Sequence, residues 1–384
     1  MSAAKERAGE ENQLDSTLER AAELLARAQF PLFGGLFTDI DGATAALALA
    51  EKLGGVIDHA ASSGHLRATR VMRETGATPA SYGEVRNRAD TIVVIGNSPL
   101  ARDPELLAKL FPDKPGLPRP GKNKRELMLL GLDKPSASKI PKGVPTTAIN
   151  GKESLPVLVA LLAAATRQGR FEVRDKALRK ALDAAGERLR DSAFAVFVYD
   201  PAELDEPVLH TVLEIVRGLV KTTRAATFSL AAPGNGDGVN LCSTWTCGLP
   251  VRTSFARKVP NNNLLAYETG RLLKSGEADA LVWIDALEGE PAERPKDAPK
   301  GAPTIVLTSR PAKAGRGDIV IQVGCAGEDH DAALYLPPIA GIGMVKAAKP
   351  NTDNPTVAEV LNRIAELIDA KSAGTKGLGK KGAA

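Results

Sequence analysis

At 384 residues the chain is long enough to bury substantial cores without disulfide or metal staples, and 43% apolar with 25% charged residues is the balance of a water-soluble folded protein. A net charge of +4 is too small to mark a nucleic-acid binder on its own, and three cysteines in such a length argue against a disulfide framework and for a reducing compartment. The opening MSAAKERAGEENQLD lacks the apolar stretch of a signal peptide and no apolar run reaches membrane-spanning length, so a cytoplasmic protein is expected.

The polar residues 1–13 read as disordered. Leu14 to Ala28 then predicts an amphipathic helix with Leu18, Ala21, Ala22, Leu25 and Ala28 on one face and Ser16 and Glu19 as a capping pair. Phe30 to Phe37, with its Gly34-Gly35 pair, predicts a short strand and turn. Asp41-Gly42 opens a helix, Ala43 to Leu53, that Gly54 and Gly55 close, and Val56-Ile57 starts a buried strand. Strands are expected at Thr91 to Ile95 (TIVVI) and, after an amphipathic helix, at Ala193 to Tyr199 (AFAVFVY). Alternation resumes through Pro207 to Thr222, Ala226 to Leu230, Leu264 to Lys274, Ala280 to Ile284 and Thr304 to Thr308. Short β-rich runs separated by helices predict parallel sheets with crossovers.

Two regions interrupt this pattern. Residues 111–145 are rich in Pro, Gly and Lys, with Arg119, Lys122, Lys124, Arg125, Lys134, Lys139 and Lys142. They read as a solvated excursion whose basic side chains could face an acidic ligand. Glu290 to Lys300 reads as a Pro-rich loop, and 371–384 as a disordered basic tail. The expected division is a first α/β region at 14–150, a second at 151–310, and a segment at 311–370 packing back on both.

Side-chain chemistry is sparse. Cys242 and Cys247 have no second pair or nearby histidines to complete a zinc site, and with Cys325 they are one thiolate short of an iron–sulfur cluster, so they read as structural thiols. His59 and His65 flank small residues just past a strand, where α/β proteins place ligands, but Ser62 and Ser63 match no nucleophile elbow. His210 and His330 read as structural or surface residues. Ala232 to Gly238 (APGNGDG) does not make the dinucleotide fingerprint, and Val239-Asn240-Leu241 is expected to continue irregularly.

Tyr82-Gly83-Glu84-Val85-Arg86-Asn87-Arg88-Ala89-Asp90, the strand TIVVI and Gly96-Asn97-Ser98-Pro99 resemble the G-E-V-(K/R)-N-R-A-D, strand and G-x-N-P signature of the B subunit of formylmethanofuran dehydrogenase, with Asn97 one place early. Leu47 to Asp58, the Asn240, Thr244, Trp245, Gly248 and Pro250 pattern, and Glu277 to Ala280 are similar to further segments of that family. The resemblance runs from about Leu18 to about Ile368. It implies a molybdopterin-oxidoreductase-like α/β fold, parallel sheets flanked by helices in two or more Rossmann-like domains, with the iron–sulfur domain missing because no cysteine precedes position 242. Redox-active members ligate tungsten or molybdenum through a cysteine or selenocysteine followed by histidine. Gly64 stands at that position, with His65 beside it.

The resemblance therefore implies no catalytic residue, no metal and no resident cofactor, and a vestigial pterin pocket near Ser62, Ser63, Gly64, His65, Asn97, Asn240 and Trp245. Its bacterial branch, the B subunits of formyltransferase/hydrolase complexes, implies a non-redox role in methylofuran- and tetrahydromethanopterin-linked formaldehyde oxidation of methylotrophs. A, C and D subunits would be the partners, and Lys122, Lys124 and Arg125 would contact the polyglutamyl tail of methylofuran. The alternatives are an active tungsten or molybdenum pterin dehydrogenase, with Ser62, Ser63 or His65 as substitute ligand, and a free-standing nucleotide-binding protein built on the APGNGDG loop.

Overall fold

The computed structural model describes residues 2–112, 124–132, 140–294, 302–311 and 318–379, without the side chains of 2–12 and 374–379. The chain begins with α1 (Ser2–Arg27), β1 (Pro31–Phe37), α2 (Ile40–Leu53), β2 (Val56–Ile57), α3 (Ser62–Thr75), α4 (Tyr82–Arg88) and β3 (Thr91–Ile95). It continues with α5 (Ser98–Arg102), α6 (Leu106–Leu110), β4 (Glu126–Leu130), β5 (Thr146–Ile149), α7 (Leu155–Thr166), α8 (Lys176–Asp191), β6 (Phe194–Tyr199), α9 (Glu206–Leu219) and β7 (Arg224–Ser229). The last part holds α10 (Gly236–Cys247), β8 (Thr253–Ser254), β9 (Asn261–Asn262), α11 (Thr269–Ser275), β10 (Ala280–Asp285), β11 (Thr304–Thr308), β12 (Ile319–Gln322), β13 (Ala332–Leu336), β14 (Gly341–Val345) and α12 (Val357–Gly379).

These elements form two compact units. Unit 1 is Met1–Ser62, Ala232–Tyr335 and Gly341–Ala384; unit 2 is Ser63–Ala231 with Leu336–Ala340. Unit 2 is thus an insertion in unit 1, and the division anticipated at residue 150 falls inside it. Chain breaks between units are poorly visible in a sequence whose strands and helices alternate on both sides of them.

Unit 1 carries a seven-stranded sheet ordered β12-β11-β10-β1-β2-β8-β9. β12 through β2 run parallel, and β8 and β9 add antiparallel edge strands. In β1 the pairing to β10 slips between Gly34 and Phe37. Glycine is required there: Gly35 has φ +74°, and a Cβ on it would lie 2.5 Å from the Ile284 carbonyl oxygen. One face buries Leu32, Val56, Leu281, Trp283 and Leu273, and the Trp283 indole N–H donates to the Ala292 carbonyl at 3.0 Å. α12 packs on α2 and α1.

Unit 2 is a parallel five-stranded sheet ordered β5-β4-β3-β6-β7 with helices on both faces. TIVVI shows why such strands read as unbroken apolar runs. Val93 and Ile95 enter the core shared with α7, α8 and α9, while Ile92 and Val94 enter the opposite core with α4 and α6. The central family-like motif supplies joints of this unit. Ser81 and Glu84 form a capping box on α4, Val85 and Ala89 are fully buried, and the Asp90 carboxylate accepts the N–H groups of Ala193 and Phe194, both at 2.9 Å, where β6 begins.

The Glu84 carboxyl is held below the usual carboxylate range, first by the Ser81 backbone N–H. A depressed folded-state pKa stabilises above the unfolded value of roughly 4.3 and loses that increment as pH falls through the folded value. Glu84→Gln is therefore expected to cost a few tenths of a kcal/mol at pH 7, after allowance for solvent screening, and almost nothing near pH 3; urea unfolding at the two pH values measures the difference.

Three expectations are corrected. α1 begins at Ser2, so the helix expected from Leu14 takes in residues that read as disordered, and α12 likewise extends through the anticipated tail to Gly379. Their Ala- and Glu-containing or Lys-containing stretches have helix-forming residues without apolar mass, which a hydrophobic pattern overlooks. The excursion at 111–145 contains β4, whose Leu127 to Leu130 are buried beside β3. A four-residue apolar run surrounded by Lys, Pro and Gly is averaged into its surroundings. Much of the rest of that stretch, and residues 295–300 of the expected loop, lie outside the described residues.

Candidate functional site

In unit 1 the chain leaves β2 at Asp58, one of the most enclosed charged groups of the fold at 1% exposure. Its Oδ1 accepts from Ser62 Oγ at 2.6 Å and Arg252 Nε at 3.3 Å, and its Oδ2 from the N–H and the hydroxyl of Thr269, each at 2.9 Å. Burial pushes the Asp58 carboxyl above the usual carboxylate range, outweighing the downward pull of Arg252 and of these hydrogen bonds. Arg252 sits at φ +64° and also donates to the Leu264 carbonyl at 2.6 Å.

His59 is equally enclosed. Its ring stacks on Phe37 at 5.1 Å between centroids, its Nδ1 accepts the Ala61 N–H at 3.1 Å, and its Nε2 lies 3.0 Å from the Gly234 carbonyl. An accepting Nδ1 and a carbonyl at Nε2 assign the proton to Nε2 and the neutral imidazole. His59 is therefore placed as a structural ring, and Ser62, 4% exposed and turned onto Asp58, is committed to the same network.

The APGNGDG segment is corrected from loop to helix start. Asn235 adopts φ +60°, and α10 begins at Gly236. Asn235 Nδ2 donates to the Thr38 carbonyl at 2.9 Å, its Oδ1 accepts the Tyr335 N–H at 2.8 Å, and Asp237 accepts the Ala232 N–H at 2.6 Å. These side-chain groups hold the turn into α10. Further along α10, Asn240 Oδ1 accepts the Val251 N–H at 3.2 Å, while Trp245 is 57% exposed. Cys242 is buried, Cys247 and Cys325 are half-buried, and all three are free thiols.

In unit 2, Ser63 is exposed, Gly64 buried and His65 half-buried on the first turn of α3. Asn97 is exposed just past β3, and its backbone N–H donates to Glu203 Oε1 at 2.8 Å. A Cβ at Gly64 would stand 2.7 Å from both Cα and N of Ala202, backbone atoms that cannot swing aside. A metal-ligating cysteine at this position therefore does not fit, apart from the missing sulfur. Among the described residues no group of His, Cys, Asp and Glu side chains is arranged to hold a metal ion.

Of the basic residues expected on the surface, Lys124 is exposed and Lys122 lies outside the described residues. Arg125 is corrected: it is 6% exposed, donates from Nε to Ala89 O at 3.1 Å and from Nη2 to Val85 O at 3.0 Å, and lies 4.3 Å above the Phe111 ring. The planar guanidinium and long aliphatic stem let a basic residue at the start of β4 serve as an interior brace. Sequence reading misses Asp200, Glu203 and Arg252. The first two stand just past the end of the buried strand FAVFVY, the one signal that could have flagged them.

Two parallel-sheet units flanked by helices, without a metal-binding cluster among the described residues, define the class as mixed α/β. No family profile matches the chain. It is 30% identical to the B component of the formyltransferase/hydrolase complex Fhc of Methylorubrum extorquens over 364 residues, covering 93% of this chain and 96% of the relative. It is 22% identical to the B component of the tungsten-containing formylmethanofuran dehydrogenase 2 of Methanococcus maripaludis over 278 residues, 70% of this chain and 63% of the relative. Among solved structures, a chain of the Methylorubrum extorquens formyltransferase/hydrolase complex FhcABCD, crystallised with methylofuran, superposes with a TM-score of 0.81 at 28% identity, covering 94% of this chain and 97% of that one. The chain belongs to the family of B subunits of formyltransferase/hydrolase complexes, to which the B subunits of formylmethanofuran dehydrogenases are related.

Proposed function

We propose that this chain is the non-redox B subunit of a cytoplasmic formyltransferase/hydrolase complex in methylofuran- and tetrahydromethanopterin-linked one-carbon oxidation. It assembles with A, C and D subunits and supports their formyl-hydrolysing and formyl-transferring sites without a catalytic residue, metal or cofactor of its own. The observation that carries this reading is the near full-length match, in sequence and in fold, to a component of FhcABCD. The molybdopterin-oxidoreductase kinship of the fold and the lack of an iron–sulfur domain belong to the same proposal.

An active tungsten or molybdenum protein would need a ligand side chain at position 64, where Ala202 leaves no room for a Cβ. A nucleotide-binding protein is not supported by APGNGDG, whose glycines do not make the G-x-G-x-x-G fingerprint. Affinity purification of the full chain, co-expressed with its A, C and D partners, is expected to bring those polypeptides along in stoichiometric yield with no stoichiometric tungsten or molybdenum. Recovery of a lone soluble chain, or of a metal-loaded one, overturns the proposal.

The carrier's anionic tail is assigned to Lys124, with Lys122. Lys124→Glu in the complex is then expected to raise the KM for a polyglutamylated carrier about threefold to tenfold at low salt and less at high salt, with kcat little changed. An unchanged KM at low salt removes this contact from the proposal. Arg125 is no longer part of it, since its guanidinium is spent inside unit 2.

A further inference from the structure

The order β5-β4-β3-β6-β7 places the reversal of unit 2 between β3 and β6. The crevice outside the carboxyl ends of the strands at such a reversal is where open α/β sheets bind their ligands. In this chain Asp200-Pro201-Ala202-Glu203, which leaves β6, turns back over that position. The Glu203 carboxylate accepts the Asn97 N–H at 2.8 Å and the Ser98 N–H at 2.9 Å, just past β3. A Cβ at Gly96, φ +77°, would meet that carboxylate at 2.2 to 2.6 Å, so the carboxylate lies directly against bare backbone.

The same tetrapeptide and the residues just after it are also held by α5 and α3. Asp200, 1% exposed, pairs with Arg102 at 3.0 Å, bonds Ser98 Oγ, and accepts the Ala202 N–H at 2.9 Å. Arg102 in turn donates to the Ala231 carbonyl at 2.6 Å. α3 lies along the segment: Gly64 abuts the Ala202 backbone, Arg67 donates to the Leu204 carbonyl at 2.6 Å, and Arg70 pairs with Glu206.

We infer that Asp200–Glu203 is a built-in plug. It fills the switch-point crevice of unit 2 with the chain's own backbone and carboxylate, and it makes glycine obligatory at position 64. The loss of a ligand side chain at Gly64 and the closure of the crevice are then one structural event, so restoring a thiol there cannot by itself restore a metal site. The plug rests on the geometry of unit 2, whereas reading Gly64 as a lost ligand position rests on the resemblance to formylmethanofuran dehydrogenase.

The test uses the full chain and a double-mutant cycle. Gly64→Ala is expected to lower the thermal midpoint by about 5 °C, whereas Gly218→Ala in α9, whose added Cβ meets nothing within 4 Å, leaves it unchanged or slightly higher. In a Glu203→Ala background, where Ala202 is freed to withdraw, the Gly64→Ala cost is expected to fall to less than half. Glu203→Gln, which keeps one acceptor oxygen, serves the same cycle should Glu203→Ala prove poorly soluble.

Gly64→Cys gives a second readout through thiol labelling. The new thiol is expected to react slowly, and at least about tenfold faster once Glu203 is also replaced, because opening of the plug then limits access. Additive costs in the cycle, a Gly64→Ala change as harmless as Gly218→Ala, or rapid labelling of Gly64→Cys at an unchanged midpoint each overturn the plug.

Discussion

Asp58→Ala is expected to lower the unfolding free energy by about 3–5 kcal/mol, read as a large drop in the urea midpoint of the full chain with little change in slope. The size follows from what the substitution strands. Arg252 is 7% exposed, and without Asp58 its buried charge loses its paired carboxylate while its Nη1 bond to the Leu264 carbonyl remains. The Thr269 N–H and the Ser62 hydroxyl lose their acceptors in the same stroke. Removing one half of a buried ion pair costs more than removing both, so Asp58→Leu combined with Arg252→Met is expected to recover a substantial part of the loss. A double variant as unstable as Asp58→Ala would mean that the orphaned Thr269 and Ser62 groups, rather than the stranded charge, set the cost.

This network bears on function because it occupies the strand end at which a sequence reader looks for chemistry. Asp58, His59 and Ser62 have the residue types of a hydrolytic constellation, and the structure uses each for support. Ser62 donates to Asp58, and the His59 ring is fixed as a neutral acceptor and donor between Ala61 and Gly234. All three side chains are engaged in hydrogen bonds that hold the end of β2 and the start of α3.

What is legible in the sequence depends on how strongly burial imprints it. TIVVI and AFAVFVY can be read as central strands because both faces are covered, and every position is therefore apolar. β4 is hidden because its apolar core is four residues long and its flanks are basic. α10 is hidden for a different reason. Gly236 and Gly238 suggest a loop, yet a Cβ at Gly236 would lie 2.8 Å from the Ala232 Cβ and one at Gly238 2.3 Å from Asn235 Oδ1. At Gly236 the His59 ring also lies 3.0 Å from where a Cβ would stand, a tertiary demand that propensity cannot express.

The family resemblance is legible through a motif whose residues prove to be joints. Gly64 can be read as a missing ligand, but its reason, the Ala202 backbone, comes from a segment far along the chain. Arg125 is misread because a basic residue amid lysines looks exposed until its stem is seen over Phe111.

Asp90, which ends that motif, is expected to be among the costliest polar residues of unit 2 to truncate. It is fully buried, and its two carboxylate oxygens take the N–H groups of Ala193 and Phe194, the first of the chain entering β6. Arg188 stands 3.6 Å away and is shared with Glu126 on the neighbouring β4 at 2.9 Å. Asp90→Ala therefore leaves two backbone donors, that of buried Phe194 and that of half-buried Ala193, without acceptors and weakens the clasp between α8 and two strands. A loss of about 3 kcal/mol is expected, since an unmade hydrogen bond to a buried donor costs roughly 1–3 kcal/mol and the carboxylate serves two. Asp90→Asn keeps one acceptor oxygen and is expected to lose about half as much. Because the damage begins where β6 starts, hydrogen exchange in the Asp90→Ala chain should rise first in β6 and β7, while β1 and β10 of unit 1 keep their protection. A uniform rise across both units would show instead that the chain opens as one cooperative body, and that Asp90 stabilises the whole rather than the strand it pins.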